Sequence, residues 1–334
     1  MGKGDWAMNV LVTGSTGFVG SCLVKKLSKR HRVFALVRKK KDSKKVKSLG
    51  AHPIIGDILD NNSLRGACKN IDAIYHLAGL VSDWGAFESF MSVNYQGTLN
   101  LVKAAESSGV RQFVFMSTLN VLGMEGQESN EDSPYHPSSS YYVNAKIMAE
   151  KAIIHFAHDH SIKFTIIRAC RLYGPGDNTY LPEFIRLLKL GKMVMIDKGK
   201  KLNSFLYVDD VVEALAKVCG NRRCYNQIIH TSSQEKTTNA QFLEFLAKEL
   251  SVNPPAKSLP YWFALVLGFL FEKFYRLIGS PKPPLITPFR VKLVGRDHYY
   301  STEKARRLIG FKQKVTLMKG IRKSCDYYKN AGII

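Results

Sequence analysis

At 334 residues, 45% of them hydrophobic and 23% charged, the chain is long and apolar enough for one large folded domain or two lobes, which excludes a disordered or fibrous protein. Lys and Arg outnumber Asp and Glu by 49 to 27, a net charge of +22 that points either to a basic solvated surface or to an anionic partner. Six cysteines without a C-x-x-C pair, and no leading apolar segment, fit a reduced cytoplasmic setting.

Residues 1–7 read as a short extension. Asn9–Thr13 reads as a buried parallel strand, and Thr13-Gly14-Ser15-Thr16-Gly17-Phe18-Val19-Gly20 follows it and opens a helix over Val19–Leu27. Strand, glycine turn and helix together place a pyrophosphate on a helix N-terminus, where unpaired N–H groups and the helix dipole favour negative charge. The next strand, Arg32–Val37, ends at Arg38, followed by Lys39, Lys40 and Lys41. An acidic residue there binds the ribose hydroxyls of NAD, whereas a guanidinium suits a 2′-phosphate. The expectation is therefore NADP(H), with NAD(H) and a merely solvated basic loop as alternatives.

Further strands are expected at His52–Ile55, Ala73–His76, Gln112–Met116 and Lys163–Ile167, with helices over Ala86–Ser107 and Tyr141–His158. This alternation predicts an α/β fold, a Rossmann-type doubly wound parallel sheet with ligands at the carboxyl ends of its strands. Ser204–Val208 and Gln227–His230 are expected to rejoin that sheet. The dinucleotide-binding domain then spans 8–177 with 204–232, and 178–203 with 233–334 forms a smaller C-terminal substrate lobe.

Tyr142 and Lys146 stand at i and i+4 and project from one helix face. A phenol is a poor base at neutral pH, and a neighbouring Lys⁺ and a cationic nicotinamide are expected to pull its pKa down. The strand ending Met116-Ser117-Thr118 presents two hydroxyls, fit to polarise a carbonyl oxygen or to cap the next turn. His155 and His158 share a helix face but lack a partner cluster, so a solvated helix end is expected and no metal. The apolar run from Leu259 to Phe271 is too short to span a bilayer; it reads either as a buried helix or as an apolar flap over a lipophilic pocket or a membrane interface.

These motifs carry a resemblance over nearly the whole chain. T-G-x-x-G-x-x-G at 13–20, Gly56-Asp57, His76-Leu77-Ala78-Gly79 and Val93-Asn94-Tyr95-Gln96-Gly97-Thr98 come first. Ser117-Thr118, Tyr142 with Lys146, Arg168 before Tyr173-Gly174-Pro175-Gly176, and Tyr207-Val208-Asp209-Asp210 complete the order. The chain resembles the extended short-chain dehydrogenase/reductase superfamily, the NAD-dependent epimerase/dehydratase family. The resemblance implies Tyr142 as general acid/base, Lys146 on the nicotinamide ribose, and Thr118 as the catalytic hydroxyl supported by Ser117. It implies cofactor contacts at Gly14, Ser15, Thr16, Gly17, Phe18, Val19, Gly20, Arg38, Asp57, Ile58, Leu77, Ala78, Gly79, Asn94, Ser117, Tyr142 and Lys146, and a homodimer paired through the two long helices.

Ser82-Asp83-Trp84-Gly85, Tyr207, Asp297-His298-Tyr299-Tyr300-Ser301 and the apolar run are similar to the 3β-hydroxysteroid dehydrogenase and ketoacid reductase branch. Arg171 replaces an asparagine usual in sugar-nucleotide epimerases, and Leu119-Asn120 replace the acidic pair of the dehydratases. The implied function is an NAD(P)-dependent oxidoreductase acting on a ketone or secondary alcohol of an apolar, steroid-like or acyl substrate. The alternatives are a sugar-nucleotide epimerase and a non-catalytic cofactor-sensing binder. No nucleic-acid partner is expected; a peripheral contact with anionic membrane is.

Overall fold

The computed structural model describes residues 7–123 and 128–334, so that the expected extension at 1–7 lies, but for residue 7, outside the described residues. Seven strands form the central sheet: β1 (Asn9–Thr13), β2 (Arg32–Val37), β3 (His52–Ile55), β4 (Ala73–His76), β5 (Gln112–Thr118), β6 (Lys163–Ala169) and β7 (Gln227–Thr231). Their order is β7-β6-β5-β4-β1-β2-β3, and every neighbouring pair is parallel. The order reverses between β1 and β4, which makes the crevice at their carboxyl ends the switch point where ligands sit in such sheets.

Alternation along the strands explains the two-sided core. Val10 and Val12 face one hydrophobic cluster, and Leu11, with Ile74, Phe113 and Phe115, faces the other. Both faces are covered, so the strands read as continuous apolar runs. The expected helix over Ala86–Ser107 is three segments in succession: Phe87–Phe90, a π-helical stretch Met91–Gln96, and Gly97–Ser107. The π-helical stretch carries Asn94, and such bulges concentrate at functional sites.

Ser204–Val208 does not rejoin the main sheet as expected. Phe205–Tyr207 instead pairs in parallel with Arg171–Tyr173 as a separate two-stranded ribbon. The reason is geometric: β7 occupies the edge beside β6, from Gln227↔Thr165 to Thr231↔Ala169, and leaves no ladder there for another strand.

The long helix Tyr141–Asp159 crosses this end of the sheet and is fixed to it by a buried ion pair. Glu150, fully buried, takes Arg168 Nη2 at 2.8 Å and Nε at 3.0 Å on Oε2. Tyr135 donates its hydroxyl to the same carboxylate at 3.0 Å, and Ser117 donates to the other oxygen. Every Glu150 lone pair that matters is thus matched, the condition under which a buried charge is tolerated. Removing one partner of such a pair costs about 3–5 kcal/mol, and removing both costs less. Glu150→Leu should lower the stability from denaturant unfolding by that amount, and Arg168→Met in the same chain should recover more than half of it. A loss below about 1 kcal/mol for the single change, within the range of an exposed pair, would show that the clamp is not what holds this helix.

Candidate active site

The glycine turn lies at the β1–β4 crevice and is built for close approach. Gly14 has φ +67°, and a Cβ there would sit 2.6 Å from the Ala78 nitrogen and the Leu77 carbonyl carbon. A Cβ on Gly20 would sit 2.1 Å from the Gly14 oxygen, so helix and turn touch backbone to backbone. Gly17 caps the helix Phe18–Leu27, and no side chain fills the cap. The first N–H groups of that helix are therefore left for an anion, and the turn fits a dinucleotide pyrophosphate. Ser15 is buried and donates to the Leu36 carbonyl at 3.3 Å, Thr16 offers its carbonyl to Lys45 at 2.8 Å, and Phe18 and Val19 pack against the core.

Beneath the turn a polar chain is satisfied link by link. Ala78 N–H donates to Thr13 Oγ1 at 3.2 Å, and Thr13 Oγ1 lies 2.7 Å from His76 Nδ1. Thr98 spends its hydroxyl proton on the Asn94 carbonyl at 2.7 Å, so it accepts from His76 Nε2 at 2.9 Å. That assigns the Nε2–H tautomer to His76. Burial, with the Lys146 charge second, pulls His76 down to about 3, and the ring stays neutral. Asn94 in turn brackets Leu80, accepting its N–H at 2.7 Å and donating to its carbonyl at 3.0 Å.

Lys146 and Asn94 converge on Gly79, where a Cβ would lie 3.0 Å from Asn94 Oδ1 and 3.8 Å from Lys146 Nζ. The ammonium donates to the Met116 carbonyl at 2.8 Å and lies 4.3 Å from the centre of the Phe115 ring. Burial lowers Lys146 to about 8 despite the opposing charge of Glu150. Tyr142, one helical turn away, is half-buried, and desolvation pushes its phenol up to about 12. This runs against the downward shift expected from the neighbouring lysine: within the protein alone Lys146 is turned to the Met116 carbonyl, and burial outweighs it. The phenol is therefore protonated at neutral pH.

Thr118 caps the turn Leu119–Leu122, its oxygen accepting from Asn120 N–H at 3.3 Å. The capping bond uses the oxygen and leaves the hydroxyl proton to donate, so cap and polarising group coexist. The Ser117 hydroxyl is committed to Glu150, which leaves its backbone as the part that can serve a cofactor. Arg38 is exposed just past β2, beside exposed Lys39, Lys40 and Lys41. Asp57 accepts from Leu59 N–H at 3.0 Å, and the Ile58 side chain is buried under Gly97, so only its backbone can serve a ligand. The two helix-end histidines are exposed, with His158 2.7 Å from Asp159.

The second lobe is latched over this crevice by residues whose role the sequence did not disclose. Asp83 holds Arg290, with Nη2 at 2.9 Å, and Trp84 donates to the Ser280 carbonyl at 3.0 Å. Arg276 stacks 4.7 Å from the Trp84 ring and 5.3 Å from that of Tyr141, next to Tyr142. The apolar run is the helix Tyr261–Leu277, with only Ala264 and Gly268 buried. The buried-helix reading fails, because Trp262 is 67% and Leu277 85% exposed. Among the described residues no helix is long and apolar enough to cross a membrane.

Residues 10–228 match the NAD dependent epimerase/dehydratase family. The chain is 31% identical over 332 residues to the sterol-4-alpha-carboxylate 3-dehydrogenase, decarboxylating, of Bos taurus, covering 95% of this chain and 92% of that one. It is 24% identical to the 2-alkyl-3-oxoalkanoate reductase of Shewanella oneidensis, covering 94% and 85%. The crystal structure of UDP-glucuronic acid 4-epimerase from Bacillus cereus in complex with NAD superposes with a TM-score of 0.78 at 22% identity, over 97% of this chain and 99% of that one, a likeness of fold. With the glycine turn, the Tyr142/Lys146 helix and the parallel sheet in the same order, the chain belongs to the NAD dependent epimerase/dehydratase family and is an enzyme of the extended short-chain dehydrogenase/reductase type.

Proposed function

We propose that the protein is an oxidoreductase that interconverts a ketone and a secondary alcohol on an apolar substrate, with NADP(H) as the preferred cofactor. The observation that carries this reading is the convergence on the end of β5: Lys146 bonds the Met116 carbonyl, two residues before Thr118, and Tyr142 packs against the Leu119–Leu122 turn just after it, while the helix Tyr261–Leu277 presents apolar side chains. Two relatives support it by name, one a 3-dehydrogenase of a sterol 4-alpha-carboxylate and the other a reductase of a 2-alkyl-3-oxoalkanoate.

The bound nicotinamide supplies or accepts hydride. The protein's own groups do the rest. Thr118 donates its free hydroxyl proton to the substrate oxygen and polarises the carbonyl. Tyr142, protonated because burial holds it up at about 12, delivers the proton in the reductive direction. Lys146 has two N–H donors beyond the Met116 bond, and these suit ribose hydroxyls. Arg38, exposed just past β2 and without a partner among the described residues, is the group that meets a 2′-phosphate in this reading. A sugar diphosphate fits less well, because Arg290 is spent on Asp83 and two carbonyls and Arg296 is bonded to the Tyr261 hydroxyl at 3.1 Å.

The same reading places the helix Tyr261–Leu277 against an anionic membrane surface. Its exposed Trp262, Phe269, Leu270 and Phe274 suit the headgroup boundary, and a chain of net charge +22 is drawn to anionic lipid. Pairing of two copies through the Tyr141–Asp159 helix and the helical stretch Phe87–Ser107 belongs to the proposal as well; Met148 on the first and Phe87 on the second are exposed.

Three outcomes test these assignments. Tyr142→Phe should cut turnover by about 10³-fold or more while cofactor affinity, read by fluorescence titration, stays within a few-fold; substantial residual activity removes the acid/base role. Arg38→Ala should weaken NADPH by about 10- to 100-fold and leave NADH nearly untouched, and an equal loss for both would refute the 2′-phosphate contact. Wild-type protein should sediment with vesicles rich in phosphatidylserine but not with phosphatidylcholine alone, and Phe269→Glu with Leu270→Glu should abolish it; wild type left in the supernatant with both vesicle types rejects the membrane contact.

A further inference from the structure

Two arginines leave the same end of the sheet three residues apart, and they differ in one respect. Arg168 is matched by Glu150, whereas Arg171 has no carboxylate partner among the described residues. The Arg171 guanidinium lies 5.3 Å from the ring centres of both Tyr180 and Phe205, and its Nη1, like that of Arg168, is buried without a hydrogen-bond partner among the described residues; what sets Arg171 apart is that no carboxylate holds its other nitrogens. The Tyr180 hydroxyl, on the ring that Arg171 covers, is also buried and unpartnered. Asp177, the nearby acid, is already engaged: it accepts from Thr179 N–H at 2.8 Å, from the Thr179 hydroxyl at 2.5 Å and from Leu181 N–H at 3.2 Å.

Among the described residues no internal charge replaces the missing counter-ion. The groups that favour the Arg171 cation are Tyr180, Cys170 and Tyr300, and burial raises the pKa of all three, Cys170 to about 11. All are neutral at physiological pH. Arg171 is half-buried with one nitrogen wholly out of solvent, and a guanidinium so placed is stabilised by a ligand that brings the negative charge. The place also adjoins the reaction centre, because Tyr300 and Cys170, both beside Arg171, pack in the same apolar cluster as Tyr142. Tyr300 is fixed in turn by His298, whose Nδ1 lies 3.2 Å from its hydroxyl.

We propose that Arg171 and the Tyr180 hydroxyl form an anchoring site for a carboxylate carried by the substrate, which makes the substrate an apolar hydroxy or oxo carboxylic acid. This rests on the oxidoreductase reading and narrows it. The guanidinium takes the two carboxylate oxygens side by side, the phenol adds a third donor, and the Tyr180 and Phe205 rings exclude water and strengthen the contact. The apolar remainder extends toward the helix Tyr261–Leu277.

The test uses 3-hydroxydodecanoate and its methyl ester, with binding by calorimetry and NADP⁺ reduction measured side by side. Wild type should bind the acid more tightly than the ester, and Arg171→Met should reduce that preference by about 30-fold or more, the range for breaking a buried charge contact. Arg171→Lys should restore part of it, and Tyr180→Phe, which keeps the ring, should lose about 3- to 10-fold as one hydrogen bond is removed. Equal loss of acid and ester binding in Arg171→Met and Tyr180→Phe would mean a packing role and overturn the proposal. So would Arg171-dependent binding of UDP-glucose in place of the acid. Arg171-dependent binding of the acid without turnover sustains the anchor and removes the oxidoreductase reading; turnover of acid and ester alike, indifferent to both substitutions, does the reverse.

Discussion

Burying the Glu150 carboxylate is the constraint from which the geometry of the site follows. Its oxygens collect donors from β6 (Arg168), from β5 (Ser117) and from the segment before the long helix (Tyr135). A carboxylate without these donors would be expelled or protonated, so the helix cannot rotate or slide without stranding it. Tyr142 lies eight residues earlier on that helix and Lys146 four, both on the Glu150 face to within a fraction of a turn. The clamp thereby aims a phenol and an ammonium at the end of β5. Ser117, expected near the cofactor, commits its hydroxyl to this clamp.

A second constraint acts at the other edge of the crevice. The backbone contact between Gly14 and Leu77-Ala78 needs β1 and β4 at full sheet proximity out to their last residues, which register Thr13 opposite His76. His76 is buried there as a neutral ring, accepting from Thr13 and donating to Thr98. An ionised imidazole would lose its acceptor role at Nδ1 and break the chain that runs to Asn94. The π-helical turn that carries Asn94 and the glycine turn that carries the phosphate site are thus linked by one neutral histidine. Neither network uses a charge that a ligand needs.

Local pattern made much of this legible. The strands β1, β2 and β4 read correctly because parallel strands covered on both faces are continuous apolar runs, and the glycine turn because a Cβ at Gly14 or Gly20 would fall 2.1 to 2.6 Å from backbone atoms. What stayed hidden depends on partners far away in sequence. Asp83 and Arg290 are separated by 207 positions, and nothing local marks either as half of a latch. Glu150 was visible only as one more acid on a helix. Ser204–Val208 has strand composition, but its partner is decided by which segment already holds the edge of β6. The desolvation that holds the Tyr142 phenol up in the protein alone was not legible either, because sequence gives the neighbouring charge and not the depth of burial.

Charge accounting in the second lobe narrows what it can hold. A sugar diphosphate carries two or more negative charges and requires several free cationic donors at the cleft. Arg290 is bound to Asp83 and to the Pro284 and Leu285 carbonyls, and Arg296 to the Tyr261 hydroxyl, so both arginines knit the apolar helix to the lobe. That leaves Arg171 as the arginine beside the Tyr142 cluster without an internal counter-ion, and one guanidinium neutralises one charge. Around it stand aromatic rings, and beyond it the helix Tyr261–Leu277 offers hydrocarbon rather than hydrogen bonds. On the proposed reading, a single negative charge on a long apolar frame is the ligand that suits this arrangement. The common fold fixes where hydride transfer occurs; in the proposed function, the commitment of Arg290 and Arg296 to internal partners, with Arg171 left open, selects what is brought there.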